Sequence, residues 1–477
     1  MPDYHFVFNL KPYTFDERYR KHLKPWGYLL APNNATRSFR KLATNVVKDG
    51  KYAFFADNGN FTIVGKIKEK YLSKAKLIFE KIKKEELKIK FPFLPSNIPE
   101  FIQKLYRVLA SQIIKIVQNI VPTDKEILSS QLGLNPTHLI GVENITLATW
   151  LCLNIEPEYL KYPAKFYRGF NKAVAVRAVK QIKELEKLYR GKYNYYPVAS
   201  ALSHRIALDA GKEFAARGCA RVAMGFGAFM ADDNYSDFLE LNNKIIKLST
   251  SMPNRYLRTV AVAKGFWQGY KRTANKAPSA FHFLGLGAPI MIPLVALCAW
   301  GTKELTFDAT SPIKDAIEGT LYLNKPAYLK SKSRRLALRI ARGDIEKWDC
   351  ACYFCKEFTR KHPFDYKKGK KWFSARPKSS DEEISAKDLQ PGSPLFEAYP
   401  LLSEPRGGQL RKEVDFARIG HNHWIISQIM ADLSRHSQSR AKLKDFVENI
   451  VNNYSKNTNS VKFGEAIKYA FHLASEN

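Results

Sequence analysis

A chain of 477 residues with 45% apolar and 13% aromatic residues has ample material for a sizeable core, which excludes a disordered protein. Lys and Arg number 77 against 45 Asp and Glu, a formal charge of +32 that points to polyanionic partners, nucleic-acid phosphates before anionic membranes, or else to a very soluble surface. The first residues lack the apolar stretch of a secretory signal, and the longest apolar run, 288–300, contains two prolines and is too short to span a bilayer, so the sequence reads as soluble and cytoplasmic.

In chain order, short β-like runs end in Gly, Asp or Asn and lead into helical pattern. They are KYAFFADNGNF (51–61), THLIGVENIT (137–146), YNYYPVASALS (193–203), CARVAMGFGAF (219–229), AFHFLGLGAP (280–289) and KELTFDATSP (303–312). Helix-period stretches lie between them, notably 171–191 and 204–218, the latter stopped by Gly218. This alternation predicts βα units around a parallel sheet, and its extent suits an α/β fold of the (β/α)8 or TIM-barrel type over residues 1–330. A large insertion at about 62–136 carries the very basic run KIKEKYLSKAKLIFEKIKKEELKIK (66–90), which reads as a solvated amphipathic helix or a nucleic-acid contact. From 331 to 477 the composition shifts to a basic helix, a cysteine cluster, a Pro/Ser/Gly-rich stretch (377–409) and helical pattern that opens at His421.

DCACYFCKEF (349–358) concentrates half of the six cysteines. A disulfide and a metal site are the two explanations, and a reducing compartment favours metal. Cys350, Cys352 and Cys355 offer three thiolates, and tetrahedral zinc wants a fourth ligand, for which His421, His423 and His362 are the candidates. Cys152, Cys219 and Cys298 lie in apolar segments and read as core thiols. Asp57 and Asp308 each end an apolar strand, where a carboxylate serves equally as a turn residue or as chemistry at the rim of a barrel; Glu143 falls at a third strand end.

Taken together and in order, these pieces resemble the tRNA-guanine transglycosylase family between about residues 28 and 435. Asp57-Asn58-Gly59-Asn60-Phe61 is similar to the family's base-site motif, Gly285-Leu286-Gly287-Ala288-Pro289 to its Gly-Val-Gly-Thr-Pro strand end, Phe307-Asp308 before Pro312 to its nucleophile motif, and Cys350, Cys352, Cys355 with His421 to its structural zinc site. The resemblance implies Asp308 as nucleophile and Asp57 as general acid and base. It also implies a base pocket in which Phe61 and Leu284 sandwich the ring while Asn58, Glu143, Gly285 and the Gly225-Phe226-Gly227 backbone hold its edge.

Departures from the family pattern point within it. The arginines that follow the nucleophile in the tRNA enzymes are replaced by TSPIKDAIEG, and 66 residues separate Cys355 from His421. Between 356 and 378 that insert holds nine Lys/Arg against two acids, interleaved with aromatic residues; Lys367, Lys368, Lys370, Lys371 and Trp372 are its candidate nucleic-acid contacts. Such changes resemble the DNA-modifying branch, which exchanges guanine in DNA for a 7-deazaguanine, typically 7-cyano-7-deazaguanine, alongside other proteins of a modification cluster in a bacterium or phage. The alternatives are a divergent tRNA enzyme, a hydrolytic glycosylase, and a non-catalytic zinc-stabilised nucleic-acid-binding protein.

Overall fold

The computed structural model describes residues 2–59, 62, 122–142, 163–201, 203–225, 238–241, 244–247, 254–375, 384–458 and 461–476. The 66–90 run lies outside them. All six strand-like runs contain strands, and two more precede them. Strand β1 (Asp3–Asn9) and β2 (Gly27–Leu30) are followed by β3 (Ala53–Ala56), β4 (His138–Ile140), β5 (Asn194–Tyr196), β6 (Val198–Ala199) and β7 (Arg221–Gly225). A small antiparallel ribbon, β8 (Phe238–Leu241) with β9 (Lys244–Lys247), comes next, then β10 (Ala280–Leu284) and β11 (Glu304–Asp308).

Nine of these strands form one sheet in the order β5-β4-β3-β2-β1-β11-β10-β7-β6, with every pairing parallel. Its two end strands are neighbours in the chain, separated by Pro197 alone. Tyr196 O accepts from Gly141 N on one side at 2.7 Å, and Pro197 O accepts from Ala223 N on the other at 2.9 Å. A proline has no N–H to withhold from either ladder, so the strand can turn its carbonyls to both flanks. The result is a nearly closed, barrel-like parallel sheet in a mixed α/β chain.

Period-2 alternation sorts each strand between two cores. Val7, Leu29, Phe55, Ile140, Tyr196 and Ala223 turn inward and fill the sheet's interior, joined by Leu284. Their neighbours Phe6, Phe8, Tyr28, Phe54, Phe281 and Phe307 turn outward beneath the helices. Full burial of one such aromatic is worth about 1.5–3 kcal/mol. A one-residue slip would exchange the two sets, so the register is strongly specified.

Helices wrap this sheet. Ser203 caps the helix His204–Ala216 by accepting from Ile206 N, and Gly218 leaves it with a φ of +70°. The C-terminal helix Gly408–His436 lies against β1, and its Ile425, Ile429 and Leu433 share the outer core with Phe6 and Phe8. It begins at Gly408, so His421 stands mid-helix and does not open it, contrary to the expectation from sequence. The helices Arg440–Asn457 and Val461–Ser475 also contribute to that outer core. A separate core gathers Leu336, Ile340, Leu389, Leu395, Tyr399 and Leu402. Among the described residues no helix is long and apolar enough to cross a membrane.

Candidate active site and metal centre

Asp57 follows the last residue of β3, and Asp308 is the last residue of β11, both in the inward phase of their strands. The register pairs Val7 with Asp308 and Leu30 with Ala56, so the carboxylates rise at the same end of the sheet, where the strands finish. Asp57 N donates to Leu30 O at 3.0 Å, and its Oδ1 accepts from Asn58 N at 2.9 Å. The turn beyond is clamped. Asn58 is buried and donates to Gly141 O at 2.9 Å, while Asn33 donates to Gly59 O at 3.1 Å. Gly59 has a φ of +71°, and a Cβ there would stand 2.4 Å from the Asn33 side chain, so both backbone and space require glycine.

Asp308 is buried, and its Oδ1 accepts from Gly285 N at 3.1 Å. Gly285 turns the chain out of β10 with a φ of +75°. His282, buried on the same strand, brings Nε2 to 3.2 Å from the same Oδ1, and its Nδ1 meets Thr306 Oγ1 at 2.7 Å. Phe55 stacks on the His282 ring at 4.9 Å between centroids and on His138 at 4.3 Å. Burial pushes His138 down to about 3, so it is neutral.

The two carboxylates are not equivalent. Burial, and then the negative charge of Asp308, push Asp57 up to about 6 from its ordinary 3.8; the N–H groups of Asn58 and Gly59 and the neighbouring His282 act in the opposite direction. One acid near neutrality beside a second carboxylate held by hydrogen-bond donors is an arrangement able to divide acid–base and nucleophilic work.

Of the residues expected around this pair, Leu284 is half-buried and packs on the interior core, and Gly285 is the Asp308 donor. Gly225 ends β7 beside Leu284, and among the described residues nothing stands where a side chain would be. Phe61, Glu143, Phe226 and Gly227 lie outside the described residues. Sequence reading passed over His282 and Thr306, since a histidine within AFHFLGLGAP looks like core. Its inward phase, shared with Leu284 on β10, was the available signal.

At the other centre, Cys350 Sγ, Cys352 Sγ and Cys355 Sγ lie 3.2, 3.7 and 3.5 Å from His421 Nδ1, and the four ligand atoms all fall within 4.8 Å of one another. The cluster could hold a metal ion. All the described cysteines are free thiols, and Cys219 and Cys298 are buried in the core as expected. Cys352 caps the helix Tyr353–Lys361 by accepting from Cys355 N. That helix approaches Gly408–His436 closely because Gly420 has no side chain; a Cβ there would lie 2.3 Å from the Phe354 ring. His421 Nε2–H donates to Tyr322 O at 2.7 Å, leaving Nδ1 as the ligand atom. Hydrogen bonds from Cys352 and Cys355, with His421 adding to them, hold the Cys350 thiol far below its ordinary range, while burial and the two neighbouring sulfurs push Cys355 well above it, so the sulfurs share one strongly coupled site.

The other two histidines are not ligands. Residues two apart on a helix face nearly opposite ways, and His423 turns into the core, stacked on Phe8 at 4.4 Å. Burial pushes it down to about 3, and neither ring nitrogen has a hydrogen-bond partner among the described residues. His362 Nε2 faces Glu413 at 3.0 Å.

The basic insert forms the helix Tyr366–Ser374, capped by Asp365. Lys367, Lys370 and Lys371 are exposed and show no ion pair among the described residues, whereas Lys368 pairs with Glu397. Trp372 is half-buried and packs with Phe364, Tyr366 and Phe373 against the second core. These rings pack on that core while Trp372 keeps part of its surface open. The antiparallel pair β12 (Thr320–Tyr322) and β13 (Lys330–Lys332) leads into the adjoining basic helix Ser333–Arg342.

No family model matches the chain, and no curated protein matches it.

Proposed function

We propose that this chain is a (β/α)8-barrel guanine transglycosylase acting on DNA, which replaces guanine by a 7-deazaguanine through a covalent Asp308–deoxyribose intermediate. The reading is supported by one observation above all: two strand-end carboxylates at the same rim, one buried and held by donors, the other raised to about 6. Counting β5-Pro197-β6 as a single strand reduces nine strands to eight, the number such a barrel needs.

Exchange requires breaking an N-glycosidic bond without surrendering the sugar to water. A carboxylate oxygen of Asp308 bonds to C1′ as the C1′–N9 bond breaks, and the bonding pair leaves with guanine. Protonated Asp57 supplies the proton that lets guanine depart neutral. In the return step N9 of the incoming base bonds to C1′, Asp308 leaves as carboxylate, and ionised Asp57 takes the N9 proton. Charges and protons balance over the cycle, and no water is consumed. A target in duplex DNA must first be flipped from the stack, at about a few kcal/mol, which cationic surface holding the backbone would offset.

Zinc fits the second centre. Bonds of about 2.3 Å to sulfur and 2.0 Å to nitrogen at tetrahedral angles place S and N about 3.5 Å apart, as Cys350, Cys352 and Cys355 stand around His421. Four protein ligands leave no open position, so the ion's role is structural.

The deciding experiment mixes the full-length protein with DNA and labelled guanine. Incorporation of label supports exchange, free abasic sites mean hydrolysis, and neither outcome means a binding protein. Without added base, the wild type should trap a denaturation-resistant protein–DNA adduct that Asp308→Asn abolishes while retaining its fold and DNA affinity. Adduct formation by Asp308→Asn at the wild-type rate would sink the assignment.

A further inference from the structure

We propose that His282 is a positioning residue for the nucleophile: with Gly285 it holds Oδ1 of Asp308, so that Oδ2 is the oxygen that attacks C1′. The role rests on the transglycosylase reading. Three features of the geometry carry it.

First, both donors converge on one oxygen. Gly285 N stands 3.1 Å and His282 Nε2 3.2 Å from Oδ1. An oxygen bonded to Gly285 N and approached by His282 Nε2 is a poorer nucleophile than its partner, so the pair selects the attacking atom as well as orienting the group.

Second, His282 is fully buried, and its Nε2 finds no hydrogen bond of good geometry among the described residues, although Oδ1 of Asp308 is only 3.2 Å away. A buried ring nitrogen left in this condition is costly unless the bond forms at some stage of the reaction. Catalytic hydrogen bonds are commonly long in the free enzyme and tighten when substrate arrives.

Third, the carboxylate sets the tautomer. A carboxylate oxygen cannot donate, so the ring nitrogen facing it carries the proton: Nε2–H faces Asp308, and Nδ1 accepts from the Thr306 hydroxyl at 2.7 Å. Phe55, stacked on the ring, and Tyr196, at its edge, prevent it from swinging away.

In the covalent step Oδ2 bonds to C1′ as C1′–N9 breaks, and the pair leaves on guanine, which receives its proton from Asp57. His282 transfers no proton. Oδ1 becomes the ester carbonyl oxygen and keeps its two donors. When the ester is cleaved by the incoming base, negative charge returns to Oδ1, where those donors stabilise it.

The test compares full-length His282→Leu, His282→Gln and Thr306→Val in single-turnover adduct formation on guanine-containing DNA, with DNA affinity measured in parallel. His282→Leu should slow adduct formation on the order of 10²-fold, the effect of misplacing a reacting group, with affinity unchanged. His282→Gln, whose amide can place an N–H where Nε2 stands, should recover most of the rate. Thr306→Val should fall between. A packing role alone predicts the reverse order, since leucine suits an apolar interior better than glutamine. Wild-type rates in His282→Leu, or glutamine slower than leucine, would overturn the assignment. If His282→Leu fails to fold, the ratio of the glutamine and valine variants to wild type decides it. Absence of any wild-type adduct would instead remove the transglycosylase reading, and this role with it.

Discussion

Asn422 donates from its side-chain amide to the carbonyl of Pro312 at 3.1 Å, fastening the helix that carries His421 to the helix Ser311–Ile317 that follows the Asp308 strand. The same amide donates to Thr320 O, and its oxygen accepts from Tyr322 N. Its neighbour His421 holds Tyr322 O. The cysteine–histidine cluster and Asp308 are therefore tied to one backbone segment, residues 308–322.

Asn422→Ala should lower the melting temperature by several degrees. It leaves two carbonyls and one N–H without partners in the interior, each worth about 1–3 kcal/mol when unsatisfied. Scanning calorimetry checks this; an unchanged melting point would mean that water or a neighbouring side chain replaces the amide.

Purified protein should contain about one zinc per chain. Cys355→Ser and His421→Ala should lose metal and stability together, because a closed site couples binding to folding. His423→Leu should keep full metal content and be at least as stable as wild type, since it removes two unpartnered ring nitrogens from the core. Metal loss in His423→Leu would reassign the fourth ligand.

The raised Asp57 carboxyl has two consequences. The folded protein holds this proton more tightly than the unfolded chain, so the contribution to stability is complete below the ordinary 3.8 and is lost as pH rises through about 6. Asp57→Asn should therefore be more stable than wild type at pH 8, by roughly 1–3 kcal/mol. Its adduct formation should fall by about 10²–10⁴-fold, because the acid is gone. In the wild type, adduct formation should decline as pH rises past about 6, and a flat profile there would remove Asp57 as the acid.

DNA affinity should fall steeply with salt. Neutralising Lys367, Lys370 and Lys371 together should reduce the slope of log affinity against log salt by about 2–3, since each phosphate that a lysine neutralises contributes about 0.9. Lys368→Gln should affect stability more than the slope, because its charge is already paired with Glu397. Equal slopes in wild type and the triple variant would move the interface elsewhere.

Much of this protein could be read from its residues alone. Apolar runs that stop at Gly, Asp or Asn marked six of the strand segments, because a strand buried on both faces needs continuous apolar sequence and a chain reversal needs those turn residues. The spacing of Cys350, Cys352 and Cys355 put three thiols within reach of one another and narrowed the choice to a disulfide or a metal site. Both depend on neighbours in sequence, which is where the amino-acid order speaks directly. What required the tertiary structure was everything set by distant pairs. Pro197 brings the sheet back on itself only because β4 and β7 stand on either side of it. His421 and His423 are alike in sequence, and it is the packing of Phe354 against Gly420 and of Phe8 against His423 that places one beside the three cysteines and the other in the core. That Trp372 and its aromatic neighbours rest on a second core was also invisible in the sequence, because Leu336, Ile340 and Leu395 lie far from them along the chain. His282 was hidden for the same reason: a histidine in an apolar strand acquires its meaning from the carboxylate on the next strand, and parallel strands are paired by the fold, not by their separation along the chain.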